Sequence, residues 1–153
     1  MPCGLPNTIP INTSNVIDSL GDTDYKPPSV VMKTAVIPTN ASNSSLDFEF
    51  DIGDSTLEFY VYMHFAELER LQIDQYRAFN IFLNGNLWKE SVVPNYLHST
   101  TIFSPQSVRG SKLRFCISKT SNSTLLPILN AMEIYIVKDM LQAPTDQEDG
   151  MFF

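Results

Sequence analysis

Residues 57–85, LEFYVYMHFAELERLQIDQYRAFNIFLNG, decide the fold, because apolar and polar side chains alternate along two segments of this stretch. Successive side chains of a β-strand point to opposite faces, so this alternation predicts two half-buried strands. The residues predicted to be buried together are Phe59, Val61, Met63, Phe65, Phe79, Ile81 and Leu83. The residues predicted to face outward are Glu58, Tyr60, Tyr62, His64, Ala78, Asn80 and Phe82. Asn84-Gly85 then supplies the turn signal of a hairpin.

The rest of the chain shows similar short alternating segments, and none has a convincing helical period. Further strands are predicted at residues 30–37, 46–52, 87–96, 100–103, 112–117 and 131–138. Short strands separated by turn residues are typical of an antiparallel β-sandwich with two layers and one core. We therefore expect an all-β fold with less than about 10% helix.

The composition fits one folded domain. The chain has 153 residues, of which 43% are hydrophobic and 18% are charged. Its net charge of −7 argues against nucleic acid as a partner, because phosphates would be repelled. The charge is uneven: residues 1–69 hold two basic and ten acidic side chains, and residues 70–120 hold seven basic and two acidic. The basic segment is interpreted as a solvated face, with an anionic partner site as the less favoured alternative.

Targeting signals and cysteines add little. No apolar run approaches the length of a membrane span, so we expect no membrane insertion by this chain. The N-terminus lacks the basic residue and apolar core of a signal peptide. Cys3 and Cys116 are interpreted as two free thiols, with a disulfide as the alternative, because two cysteines do not make a framework.

Residues 60–85, YVYMHFAELERLQIDQYRAFNIFLNG, resemble the signature of malectin-like domains, most closely those in the extracellular region of plant leucine-rich-repeat receptor kinases. The stretches YKPPSVVMKTAVIPTNAS at 25–42, NSTLLPILNAMEIY at 122–135 and TDQED at 145–149 fit the same family in the same order. The resemblance implies a lectin-type jelly roll. It also implies a place on the extracellular side of the plasma membrane.

The resemblance also suggests how the chain is organised. Residues 1–29 are predicted to be an extended arm, a remnant of the linker between two malectin-like lobes. Residues 30–140 are predicted to be the sandwich, which matches the second lobe of the family. Residues 141–153 are predicted to be an acidic tail, truncated before the leucine-rich repeats. We therefore expect a fragment that lacks the first lobe, the repeats, the membrane span and the kinase.

Catalysis finds little support in the sequence. His64 and His98 are the only histidines, and no nucleophile elbow, phosphate-binding loop or Cys-x-x-Cys pair accompanies them. Glu67 and Glu69 could suggest a glycosidase pair, but they lead into a loop and are interpreted as solvated or locally paired. The resemblance implies a structural hydrogen bond for Glu67. Acidic residues that could bind calcium lie spread along one strand and not in one loop. They are Asp47, Glu49, Asp51 and Asp54. We predict no catalytic residue, cofactor or metal.

Aromatic and amide side chains suggest a binding site instead. Sugar rings pack their apolar faces on aromatic rings, while amides bind their hydroxyl groups. The candidate ligand-binding residues are Tyr60, Tyr62, Asn84, Trp88 and Tyr96. The alternative for the first two tyrosines is packing beneath a neighbouring loop with only their hydroxyls exposed. His64 is interpreted as a hydrogen-bonded histidine within the sheet, in preference to a ligand or pH sensor.

Four Asn-x-Ser/Thr sequons indicate an extracellular ancestry, because such sites are glycosylated in secreted proteins. They are Asn12, Asn40, Asn43 and Asn122. The leading interpretation is thus a non-catalytic recognition module of a plant receptor-like kinase, for a peptide, a co-receptor or a cell-wall glycan. In the intact receptor the absent first lobe would be a further partner. The alternative is a carbohydrate-binding lectin domain in its own right, and a glycoside-active enzyme is a distant third.

Overall fold

The computed structural model describes residues 7–19, 25–39, 42 and 44–138. This part of the chain consists of antiparallel strands, turns and a single four-residue helical turn. In chain order the elements are β1 (Thr8–Asn12), α1 (Ser29–Met32), β2 (Thr34–Pro38), β3 (Ser45–Asp51), β4 (Glu58–Phe65), β5 (Phe79–Leu83), β6 (Asn86–Val92), β7 (Thr100–Phe103), β8 (Val108–Arg109), β9 (Lys112–Lys119) and β10 (Ala131–Ile136).

Two four-stranded sheets form the body of the domain. One has the strand order β3-β9-β5-β6, and the other has β10-β4-β7 with β8 paired beside β4. A two-stranded ribbon of β1 and β2 completes the described sheets. The two larger sheets pack face to face, since the rings of Phe65 in β4 and Phe79 in β5 lie 5.1 Å apart. The predicted all-β sandwich is confirmed.

The core lies between these sheets and contains all seven side chains predicted to be buried together. Phe59, Val61 and Met63 alternate along β4 on one wall, and Phe79 and Ile81 alternate along β5 on the other. β9 adds further apolar side chains from the same wall as β5. These are Leu113, Phe115 and Ile117. Period-two alternation therefore selected the buried faces of β4 and β5 correctly.

The predicted hairpin turn is also present and joins β5 to β6. Asn84 has a φ of 50° and Gly85 a φ of 80°, the left-handed conformation that a two-residue hairpin turn requires. Leu83 pairs with Asn86 across this turn. The side-chain Oδ1 of Asn84 also accepts a hydrogen bond from the backbone N–H of Arg114, at 2.9 Å, which joins the turn to β9.

The strand predicted at residues 30–37 is wrong in its first half. Ser29–Met32 form α1, and only Thr34–Pro38 are a strand. The carbonyl of Pro28 accepts hydrogen bonds from the N–H groups of both Val31 and Met32, which closes a helical turn directly after the proline pair. The turn places Met32 in the core. Propensity for strand in the two valines is therefore overridden by burial of the methionine.

Two residues predicted to face solvent are buried. Ala78 lies under the loop that follows β9, where its N–H donates to the hydroxyl of Ser123 and its carbonyl accepts from the N–H of Thr120. His64 lies on the outer face of β4, as its alternation requires, but neighbouring side chains cover it almost completely. An outer sheet face is therefore not always a solvent-exposed one.

The described part of the predicted arm is joined to the sandwich. β1 pairs with β2 over five residues, and Ile17 is buried in the core. The N–H of Asp18 donates to the carbonyl of Leu97, and the N–H of Ser99 donates to the carbonyl of Asp18. These contacts tie residues 8–18 to the domain. The assignment of residues 1–29 as a linker remnant stays a prediction, and the predicted tail at 141–153 lies outside the described residues.

Candidate functional site

Five aromatic side chains form one outward-facing surface on the β10-β4-β7 sheet, which we call the aromatic face. Its members are Tyr25, Tyr60, Tyr62, Phe103 and Tyr135. The alternation of β4 directs Tyr60 and Tyr62 away from the core. Antiparallel pairing then places Tyr135 of β10 opposite Tyr60, and Phe103 of β7 opposite Tyr62. The ring of Tyr62 lies 5.6 Å from that of Tyr135 and 6.0 Å from that of Phe103.

Tyr25 reaches the aromatic face from the segment before α1. Its ring lies 4.8 Å from that of Tyr62 and 5.1 Å from that of Phe103. The hydrogen bond with Tyr25, followed by burial, raises the pKa of Tyr62 above its ordinary value, so this phenol stays protonated. The alternative considered for the two tyrosines, packing beneath a neighbouring loop, therefore fits Tyr62, which is half-buried against Tyr25. It does not describe Tyr60, which is 36% exposed, or Tyr135, which is 53% exposed.

His64 and Glu133 form a polar pair at the edge of the aromatic face. The Nδ1 of His64 lies 2.9 Å from the Oγ1 of Thr101, and its Nε2 lies 3.1 Å from the Oε2 of Glu133. The interpretation of His64 as a hydrogen-bonded histidine within the sheet is confirmed. The side chain of Glu133 remains 47% exposed, and its charge raises the pKa of the neighbouring Tyr135. The carboxylate therefore faces solvent beside the tyrosine rings.

A concave region, which we call the hairpin cleft, lies at the hairpin end of the sandwich. It has a volume of about 460 Å³ and lies between the β5–β6 hairpin and the segment 104–109. Trp88 and Leu87 give it an apolar wall, and Asn84, Asn86 and Gln106 give it amide groups. Two of the predicted ligand-binding residues, Asn84 and Trp88, therefore share one cleft.

The remaining predicted residues do not join this cleft. Tyr60 and Tyr62 belong to the aromatic face, and Tyr96 lies elsewhere. The backbone of Tyr96 forms a bridge with Glu67, which follows the end of β4 that is remote from the hairpin cleft. The five candidate residues are thus divided among three places, because sequence proximity does not indicate which end of a sandwich a loop occupies.

Glu67 forms a buried ion pair, which replaces both the catalytic and the fully solvated interpretations. Its Oε2 accepts a hydrogen bond of 2.6 Å from the Nε of Arg77, and both side chains are at most 3% exposed. Arg77 also donates to the carbonyl of Leu126 and, at 3.2 Å, to Glu69, which is exposed. Of the two alternatives for these glutamates, solvated or locally paired, local pairing is found for both. The pair joins the start of β5 to two loops and does not line the hairpin cleft.

Two side chains of the basic segment, Lys112 and Arg114, lie on the outer face of the β3-β9-β5-β6 sheet. Glu49 of β3 accepts hydrogen bonds from Lys112 and Arg114 of β9, and Arg114 lies opposite it in register. These bonds, the one with Arg114 first, lower the pKa of Glu49 below its ordinary value. On the other sheet, Arg109 of β8 pairs with Glu58 of β4. Three of the seven basic side chains in residues 70–120 therefore pair with carboxylates of neighbouring strands on the surface.

The two sequons that lie in the described residues are exposed. Asn12 at the end of β1 and Asn122 in the loop after β9 are both exposed. Asn40 and Asn43 lie outside the described residues.

Cys116 is half-buried in β9, and burial raises the pKa of its thiol to about 11, so the reactive thiolate is scarce at neutral pH. Cys3 lies outside the described residues. In the described part of the chain, no helix combines the length and hydrophobicity needed to cross a bilayer.

Sequence reasoning missed several residues of these two regions. Tyr135 could have been found, because it alternates outward in the predicted last strand. Phe103 could have been found in the same way from its short strand. Tyr25 and Gln106 carry no such signal, since they lie outside regular strands and reach their places only through the folding of loops.

Comparison with known proteins places the chain in a family. Residues 2–137 match the family model of the malectin-like domain. Two Arabidopsis thaliana relatives are receptor-like serine/threonine-protein kinases with leucine-rich repeats. One is 39% identical over 151 residues, which is 97% of this chain and 17% of the relative. The other is 40% identical over 147 residues, which is 95% of this chain and 16% of the relative. The chain belongs to the malectin-like domain family and spans about a sixth of these relatives.

Solved structures support the same fold. The extracellular domain of ANXUR1 from Arabidopsis thaliana matches with a TM-score of 0.70 at 18% identity, over 92% of this chain and 40% of that one. A chain in the structure of the plant peptide RALF23 in complex with FER and LLG2 matches with a TM-score of 0.66 at 22% identity, over 87% of this chain and 40% of that one. At these identities the likeness shows the fold alone.

Proposed function

We propose that this chain is a non-catalytic, extracellular ligand-recognition module of a plant receptor-like kinase, and that the aromatic face binds a peptide or protein partner. The observation that carries this proposal is the grouping of five aromatic side chains on an outer sheet face. Tyrosine offers a large, rigid and amphipathic contact area, and it is enriched where proteins bind one another. On this face four side chains are more than a third exposed: Tyr25, Tyr60, Phe103 and Tyr135.

The polar residues that could serve an enzyme, His64 and Glu67, are both paired within the domain, which also fits a recognition role. Both ring nitrogens of His64 are occupied by Thr101 and Glu133 within the sheet. Glu67 is paired with Arg77, and both side chains are at most 3% exposed. In the described residues, these groups stabilise the sandwich and are not arranged around a cleft. They support the absence of catalysis in this domain.

The family supplies the wider setting of the proposal. The relatives are receptor-like kinases and are about six times as long as this chain, so the intact receptor would add a first lobe, repeats, a membrane span and a kinase. The complex of the plant peptide RALF23 with FER and LLG2 supports a peptide and a further protein as the kinds of partner. The exposed sequons at Asn12 and Asn122 support the extracellular side of the plasma membrane.

The test is selection of a displayed random peptide library on the purified chain. Selected peptides are then measured against a variant that carries Tyr62→Ala and Tyr135→Ala. We expect the peptides to lose at least tenfold in affinity, because two central rings are removed. Phe82→Ala, an outer-face change on the opposite sheet, is the control and should keep binding. Peptides that bind the double variant as well as the wild type would show that the aromatic face is not the recognition surface.

Carbohydrate binding remains a second candidate, favoured by the hairpin cleft. Trp88 offers a ring for stacking, and Asn84, Asn86 and Gln106 offer amide groups for sugar hydroxyls, within a volume suited to one or two sugar rings. Trp88 is the only tryptophan, so its fluorescence reports directly on this cleft. Titration with neutral and acidic oligosaccharides should shift the emission of the wild type, and Asn86→Ala should weaken the response. Unchanged emission at millimolar oligosaccharide would exclude this role for the cleft.

A further inference from the structure

Three tyrosines and one glutamate on the aromatic face form a group that we call the tyrosine–glutamate cluster: Tyr60, Tyr62, Glu133 and Tyr135. In the antiparallel register, Tyr60 lies opposite Tyr135 and Tyr62 lies opposite Glu133. Side chains that are directly opposite on one face of a sheet have their Cβ atoms about 5 Å apart. The four side chains therefore occupy adjacent positions on two neighbouring strands.

The rings of this cluster form two walls. The planes of Tyr62 and Tyr135 meet at 85°, with ring centroids 5.6 Å apart. Tyr62 also packs against Tyr25, whose ring centroid lies 4.8 Å from its own. Tyr60 and Tyr135 are open to solvent. Perpendicular aromatic walls with an open side provide ring faces that a cation can approach, and the ring quadrupole attracts it.

Charge selects the kind of ligand. Glu133 is 47% exposed beside the rings, where its carboxylate contacts the Nε2 of His64 and the hydroxyl of Tyr135. Arg109, the arginine of the same sheet face, is already paired with Glu58. The chain as a whole carries a net charge of −7. Both the local carboxylate and the overall charge complement a positive group and disfavour an anionic one.

We propose that the tyrosine–glutamate cluster binds an arginine or lysine side chain of a peptide partner, with the cation over the tyrosine rings and Glu133 as its counter-charge. This inference rests on the proposed function, because it names the chemistry recognised at the aromatic face. It also fixes one anchor position within that face. Arg side chains stack well on aromatic rings and are common anchors in protein interfaces.

The test uses the synthetic peptide acetyl-Gly-Arg-Gly-Arg-Gly-amide and its citrulline counterpart, which has nearly the same shape but no charge. Binding to the whole chain is followed by NMR titration of the tyrosine ring signals. We expect the arginine peptide to bind about three- to tenfold more tightly than the citrulline peptide. Glu133→Gln and Tyr135→Leu should each remove most of this difference, whereas Tyr135→Phe, which keeps the ring, should preserve it.

Glu49→Gln is the matched control, because it removes one surface carboxylate on the opposite sheet and leaves the cluster intact. It should leave the preference for arginine unchanged. Equal binding of the two peptides, no binding of either, or equal losses in Glu49→Gln and Glu133→Gln would overturn the proposal. The last result would indicate general attraction to an acidic protein. If library peptides require the aromatic face but bind without any basic residue, the recognition function stands and the cationic anchor is wrong.

Discussion

On the β3-β9-β5-β6 sheet the outer face places Glu49 between Lys112 and Arg114, whereas on the β10-β4-β7 sheet the outer face carries tyrosines and Phe103. Both faces belong to sheets that share one core. On the first face, Glu49, Lys112 and Arg114 pair with one another within the domain. The second keeps a large amphipathic area exposed, which burial against another surface would stabilise. A surface that folding does not need is the better candidate for binding.

The outer faces of the two sheets can be compared because both sheets pack on the same core. The first prediction therefore tests which side chains of β5 belong to that core. Phe79→Ala should lower the free energy of unfolding by about 3–5 kcal/mol, since it removes a fully buried ring and leaves a cavity. Phe82→Ala, in the same strand but on the outer face, should cost less than about 2 kcal/mol. Urea unfolding monitored by circular dichroism gives both values. Equal costs would mean that the assignment of inner and outer faces in β5 is wrong.

The second prediction compares a buried carboxylate, Glu67, with an exposed one, Glu69, because both pair with Arg77. Glu67→Gln should cost about 3 kcal/mol, because it leaves the buried guanidinium of Arg77 with only the exposed Glu69 as a charged partner. Glu69→Gln is the matched control at the same site and should cost less than about 1 kcal/mol. Thermal unfolding of the two variants would measure this difference. A negligible effect of Glu67→Gln would show that solvent reaches the pair.

The surface pair around Glu49 should matter less, and its effect should depend on pH. Its folded-state pKa lies below the ordinary value of about 4.5, so its pairing stabilises the fold above that pH. The contribution is lost as the pH falls through the depressed folded-state pKa, because the carboxylate must then be protonated. Glu49→Gln should therefore lower the melting temperature slightly near pH 7 and not at all near pH 2. A difference that grows towards acid pH would contradict the assigned pairing.

The sequence predicted the sandwich, the core and the hairpin because these depend on alternation and on turn chemistry, which are local. It predicted the wrong element at Val30, since burial of Met32 through a helical turn is a tertiary effect. The aromatic face was predicted only in part. Tyr60 and Tyr62 share a strand, and Tyr135 alternates outward in the last strand, but Tyr25 reaches them through the folding of a segment that no alternation indicates.

The aromatic face should contribute least to stability, and this would most directly test its assignment to binding. Tyr60→Ser with Tyr135→Ser removes two exposed rings whose neighbours on the sheet remain hydrogen-bonded through the backbone. We expect the melting temperature to change by less than about 4 °C, while peptides selected on the wild type lose their affinity. Phe59→Ala, a change in the same strand on the inner face, should instead destabilise the domain strongly. Calorimetry of the three proteins separates the two roles. A large loss of stability in the tyrosine variant would mean that the rings serve the fold, and that their exposure reflects packing and not recognition.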